Sequence, residues 1–110
     1  MKEEKYLPLG TVVLLKNAKK RVMISGYFPV DNVTKEVHDY SSCFWPIGYL
    51  DSKSMIVFNK EDIESISCIG YVDEEQKQFN LELEKLNKEK ITEELEKQAN
   101  TDDFTFQNKE

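Results

Sequence analysis

Thr11-Val12-Val13-Leu14-Leu15, then Lys16-Asn17-Ala18-Lys19-Lys20, then Arg21-Val22-Met23-Ile24-Ser25 is the stretch on which the fold turns. Two apolar, β-branched runs flank one polar turn, which is the pattern of a β-hairpin. The first run is entered through Pro8 and Gly10, and the second is punctuated by Gly26 and Pro29. Asp31-Asn32 is a turn candidate, and a third strand is expected between Lys35 and Phe44. In that strand His38, Tyr40, Ser42 and Phe44 share one face, and Val37, Asp39, Ser41 and Cys43 the other. Trp45-Pro46-Ile47-Gly48-Tyr49 is not a central strand, because proline lacks a ladder donor and glycine favours a turn. Ser54-Met55-Ile56-Val57-Phe58 reads as a fourth strand. Asn59-Lys60-Glu61-Asp62 reads as a single helical turn with Asn59 as its cap. The fifth strand is expected over Ser65 to Val72, with Gly70 as a bulge site. Five short strands with one helical turn before the last predict a mainly β domain over residues 1–72. The preferred form is a small SH3-like barrel, whose closure would cover its edges, although the spacing alone does not separate it from an OB-like barrel or a curled meander.

The composition divides at the same place. Of 110 residues 33% are charged, with a net charge of −6. Residues 1–72 carry nine Lys/Arg and nine Asp/Glu; residues 73–110 carry six and twelve, so the whole excess lies in the last third. Clustered cations are what phosphate neutralisation needs, so the balance argues against a nucleic-acid binder. No run approaches the roughly 18–20 apolar residues of a membrane span. Met1-Lys2-Glu3-Glu4-Lys5 is followed by no apolar region, so no secretory signal and a cytoplasmic location are expected. In a reducing cytosol Cys43 and Cys68 are expected as buried free thiols.

From Asp73 the texture becomes helical. Asp73-Glu74-Glu75-Gln76 is a capping-box variant, and no Gly or Pro follows through Glu110. An acidic helix is predicted over 73–99, followed by a flexible tail over 100–110. At about 100° per residue, Leu83 and Leu86 fall within roughly 40° of Phe79, whereas Leu81, Ile91, Leu95 and Ala99 fall roughly 120–200° away. The apolar stripe therefore changes face near Asn87-Lys88-Glu89-Lys90. Either the helix breaks near Asn87 and folds back, or it continues and offers its second half to another protein. Nothing in Lys88-Glu89-Lys90 breaks a helix, which favours continuation.

Chemistry-bearing patterns are sparse. His38, the one histidine, could form a Cys-His-Asp site with Asp39 and Cys43 or Cys68. His38 and Cys43 fall on opposite strand faces, however, so a plain strand histidine and small core thiols are the preferred reading. No metal-ligand spacing and no phosphate-cradling glycine loop occurs, so neither metal nor cofactor is expected. Lys16, Lys19, Lys20 and Arg21 read as a solubilising turn. The dense signal is aromatic: Tyr40, Phe44, Trp45 and Tyr49 lie within ten residues, around Pro46 and Gly48. Such rings either fill the core of a small barrel or anchor a partner. Candidate partner-binding residues are therefore Tyr40, Phe44, Trp45 and Tyr49, with Leu81, Ile91 and Leu95 on the helix.

Leu7-Pro8-Leu9-Gly10-Thr11-Val12-Val13-Leu14-Leu15-Lys16 resembles the opening of small bacterial proteins known as domain of unknown function 4176. So do Asp39-Tyr40, Trp45-Pro46-Ile47-Gly48-Tyr49-Leu50, Phe58-Asn59-Lys60-Glu61-Asp62-Ile63 and Gly70-Tyr71. The resemblance spans about residues 7 to 80. Members often carry an acidic residue where Ile47 stands, so no charge-dependent role is implied there. What the resemblance implies is an accessory protein without enzymatic activity, often encoded beside LXG-type toxins of type VII secretion systems in Gram-positive bacteria. Its implied partner is such a toxin or its secretion complex, bound as a chaperone or adaptor. An immunity protein that inhibits its cognate toxin is the alternative, and a peptide- or nucleic-acid-binding barrel module is a further one. The oligomeric state is left open.

Overall fold

A computed structural model describes residues 6–101, with side chains through Lys97. The side chain of Ala99, expected among the apolar residues facing a partner, and most of the expected tail lie outside what the structure describes. The elements are β1 (Val12–Leu15), β2 (Arg21–Tyr27), β3 (Tyr40–Phe44), a 3-10 turn at Ser52–Ser54, β4 (Ile56–Phe58), a second 3-10 turn at Lys60–Asp62, β5 (Ile63–Cys68) and α1 (Glu74–Thr101). The chain is mainly β with a C-terminal helix.

The five strands form one antiparallel sheet in the order β4-β3-β2-β1-β5. The predicted hairpin is β1 with β2, where Val13 pairs with Val22 and Leu14 with Arg21. The register of β2 against β3 shifts between Ile24 and Gly26, so β2 passes through Gly26 rather than stopping there. β4 pairs only with β3 and β5 only with β1 among the described residues, so the sheet is bent but not closed. This corrects the expected barrel closure. With β4 only three residues long, there is too little ladder at that edge to meet β5. The third strand is shorter than expected because Val30 and Val37 make only an isolated bridge before Tyr40. The fifth ends at Cys68, not Val72. Gly70 follows it in a crowded crossing, where an added Cβ would overlap the Leu9 carbonyl. Its N–H donates to Thr11 Oγ1, at 3.0 Å, on a fully buried threonine.

Val13, Val22, Ile24, Tyr40 and Phe58 from the sheet join Tyr6, Phe28, Val37 and Leu83 in one core. Aromatic rings dominate it: Tyr6 stands edge-on to Phe28 at 5.4 Å and to Tyr40 at 6.3 Å, and Tyr40 packs on Phe58 at 5.3 Å. Offset and edge-on pairs of this kind contribute about 0.5–1.5 kcal/mol beyond the area they bury.

The helix starts as expected, with Asp73 Oδ1 accepting from the Gln76 amide at 2.9 Å. It does not continue straight. Asn87 has φ 41 and ψ 165, which no helix tolerates, and two helical arms meet there. Asn87 Oδ1 accepts from the Lys90 amide at 3.0 Å, so the residue that ends one arm caps the next. Ile91 and Leu95 are half-buried and pack back on the core. The continuous helix is thus corrected to the folded-back form. Asparagine tolerates the left-handed region and caps well, and that is the break signal which Lys88-Glu89-Lys90 lacks.

Candidate interaction surface

The two parts of the aromatic cluster separate in space. Tyr40 is 1% exposed and belongs to the core, and Phe44 is half-buried against it. Tyr40 as a partner contact is corrected on that ground. Burial is the larger cause that pushes its phenol up to about 12, and the charge of Asp39 adds to it. Its hydroxyl accepts from the Leu7 amide at 3.0 Å, while the Tyr27 hydroxyl donates to the Leu7 carbonyl at 2.6 Å. Burial likewise raises the phenols of Tyr6 and Tyr27. Two tyrosines of the sheet thus satisfy both backbone groups of Leu7. Asn80 does the same for Tyr6 from the helix: Nδ2 donates to the Tyr6 carbonyl at 2.7 Å, and Oδ1 accepts from its amide at 3.4 Å.

Beyond Phe44 the chain turns outward and its apolar residues face solvent. Trp45 is 48% exposed, Ile47 52%, Tyr49 64% and Leu50 70%. Their backbone is nonetheless fixed. The Trp45 amide donates to the Arg21 carbonyl at 2.9 Å and the Gly48 amide to the Phe44 carbonyl at 2.8 Å. Gly48 has φ +87, a left-handed turn position suited to glycine. Asp51 Oδ1 accepts from the Lys53 and Ser54 amides at 3.0 and 3.1 Å, capping the next turn. A rigid loop that presents Trp, Ile, Tyr and Leu together has the anatomy of an interface anchor.

A polar junction locks the helix to the sheet. Lys88 Nζ lies 3.5 Å from Asp39 Oδ1 and 3.0 Å from Asn59 Oδ1. Asp39 is buried, and its Oδ2 accepts from the Lys60 amide at 2.8 Å. Asn59 Oδ1 also accepts from the Asp39 amide at 3.0 Å, so this side chain serves the junction and not the turn it was expected to cap. The helical turn is closed instead by Asp62, whose Oδ2 accepts from the Asn59 amide at 2.8 Å.

The remaining candidates scatter. Leu81 is 51% exposed, whereas Ile91 and Leu95 are turned to the core. His38 Nε2 lies 3.9 Å from Glu36. Cys43 is buried, but Cys68 is exposed, because it stands on the edge strand; two buried thiols are corrected to one. Asp31 is held below the ordinary carboxylate range by the Thr34 and Val33 amides, the mark of a local turn. Among the described residues no group of three His, Cys, Asp or Glu could hold a metal ion, and no helix is long and apolar enough to cross a membrane. The residues missed from the sequence are Tyr6 and Asn80. One follows a charged N-terminal run, and the other is a polar residue on a helix face assigned by its leucines.

Comparisons with curated proteins and with solved structures give no match. A family model matches residues 6–79, which take in the whole sheet, the exposed loop and the start of the helix: the chain belongs to the family described as domain of unknown function (DUF4176).

Proposed function

We propose that the protein is a cytoplasmic binding protein without catalysis of its own, an accessory chaperone or adaptor for a toxin of the LXG type exported by type VII secretion. The observation that carries the binding part is the loop Trp45 to Leu50, four exposed large apolar side chains on a hydrogen-bonded backbone. Exposed aromatic anchors on a rigid frame lose little conformational entropy on docking. The toxin as partner rests on the family resemblance alone, and the acidic helix suits a basic toxin surface, where opposite charge speeds encounter. Of the helix residues, Leu81 remains available for contact in the folded chain. Ile91 and Leu95 would be available only after the second arm lifted away.

The test is co-expression with an LXG-type toxin, followed by size exclusion. The double variant Trp45→Ser with Tyr49→Ser should abolish co-elution while its circular dichroism stays that of the parent. Undiminished co-elution of that variant would overturn the loop as the site. An Ile91→Asp, Leu95→Asp variant is a poor probe of binding, because both side chains pack on the core.

A further inference from the structure

The end of the sheet that carries the exposed loop is cationic. Strand β3 leaves the sheet at Phe44, opposite Val22, and the Trp45 amide donates to the Arg21 carbonyl at 2.9 Å. The loop therefore stands beside the turn 16–20 that joins β1 to β2. Lys19 and Lys20 in that turn are exposed. So is Lys53 in the 3-10 turn Ser52–Ser54, which is stitched to the loop where the Leu50 amide donates to Ser54 Oγ at 3.3 Å. None of these three lysines forms an ion pair among the described residues. Asp51, the one acid between residues 45 and 54, is already engaged as the cap of the 3-10 turn. Arg21 turns away, its Nε donating to Ser67 Oγ, and the Lys16 amide meets the Asp62 carbonyl, so neither belongs to the set. The acidic helix docks toward the other end of β2: Phe79 packs on Tyr27, five residues or about 17 Å of strand from Val22.

We propose that the loop receives an acidic amphipathic segment of the protein partner. Its apolar side chains cover Trp45, Ile47, Tyr49 and Leu50, and its carboxylates meet Lys19, Lys20 and Lys53. The proposal rests on the loop being the binding site and names what occupies it. An apolar centre with a charged rim is the common anatomy of a protein interface, and the rim selects by charge. A short acidic segment fits this rim better than an anionic bilayer does, because the chain as a whole carries −6 and a broad negative surface would repel its body. The acidic helix then meets a different, basic part of the same partner.

Trp45 is the only tryptophan, so its fluorescence reports on the loop alone. The probes are two peptides with leucines at helical spacing, one with glutamate and one with lysine at every other position, added to the full chain at low salt. The glutamate peptide should move Trp45 emission to the blue and saturate. The lysine peptide should not, since any contact it makes with the acidic helix lies far from Trp45. Lys19→Glu, Lys20→Glu and Lys53→Glu together should weaken the glutamate peptide on the order of tenfold or more and admit the lysine peptide instead. All three positions are exposed, and an unchanged circular dichroism spectrum confirms the fold of the variant. A glutamate peptide that leaves Trp45 unmoved overturns the proposal. So does equal binding of both peptides, a triple variant with the parent's preference, or a shift produced only by phosphatidylglycerol vesicles, which would make the occupant a bilayer. Co-elution with the toxin separates this proposal from that for the loop itself. If Trp45→Ser with Tyr49→Ser abolishes co-elution and the triple lysine variant does not weaken it, the loop stands and the acidic occupant falls. If the serine variant co-elutes undiminished, the loop falls as well.

Discussion

Asn80 offers a direct test of how the N-terminal segment is held. It is 1% exposed and reaches both backbone groups of Tyr6, the carbonyl at 2.7 Å and the amide at 3.4 Å. Replacing it by leucine keeps the branched skeleton of the side chain but leaves a buried carbonyl and a buried amide without partners. Each unmet group costs about 1–3 kcal/mol, and the longer contact belongs at the low end. We therefore expect Asn80→Leu to lower stability by about 3 kcal/mol, read as a shift of the urea midpoint at constant slope. For a domain of this size that is a fall in Tm of more than about 10 °C. The second arm of the test is a chain lacking residues 1–6. Without Tyr6 the Asn80 amide is itself unmet, so Asn80→Leu should there be neutral or stabilising. The difference between the two backgrounds isolates the clamp. An equal cost in both would refute the reasoning, because it would place the role of Asn80 elsewhere in the helix.

Two further outcomes follow from the same core. The Tyr40 phenol titrates near 12 against 10.0 when unfolded, so folding favours its neutral form. The resulting stabilisation is complete below about pH 10 and is lost as pH rises toward about 12. It amounts to about 3 kcal/mol, so urea midpoints should fall steeply across that window and less steeply in Tyr40→Phe; equal slopes would refute it. At the junction, Lys88→Ala leaves the buried Asp39 carboxylate without its cation. Amide exchange in the second helical arm should then quicken by about tenfold while β1 to β3 keep their protection. Uniform exchange through the chain would show that Lys88 does not fasten the arm.

The strands were legible because each is a short apolar run bounded by Gly, Pro, Asn or charged residues, and a pairing period of two needs no tertiary information. Closure was not, because it depends on how much ladder survives at the edges, and β4 keeps only three residues. The aromatic segment was visible as a composition, but the division within it was not. Tyr40 and Trp45 are five residues apart, and only the turn after Phe44 sends one inward and the other out. On the helix, a stripe drawn through leucines put Phe79 and Leu86 inside, yet both are about half exposed. The buried line runs through Asn80 and Leu83, since a polar side chain that satisfies a neighbouring backbone can occupy a core position as well as an apolar one.

The backbone of Asn87 decides the outline of the whole molecule. Twenty-eight residues of unbroken helix would be a rod of about 42 Å. Bent at Asn87, the same residues become a clasp whose far half packs Ile91 and Leu95 back against the core. An alanine there would remove both the cap and the tolerance for a positive φ, and would join the arms at little local cost. The acidic residues that now wrap the body would then project from it as a lever about 20 Å long. The reach of this protein toward its surroundings thus turns on the φ angle of one residue, set against the Ile91, Leu95 and Lys88 contacts that hold the folded arm down.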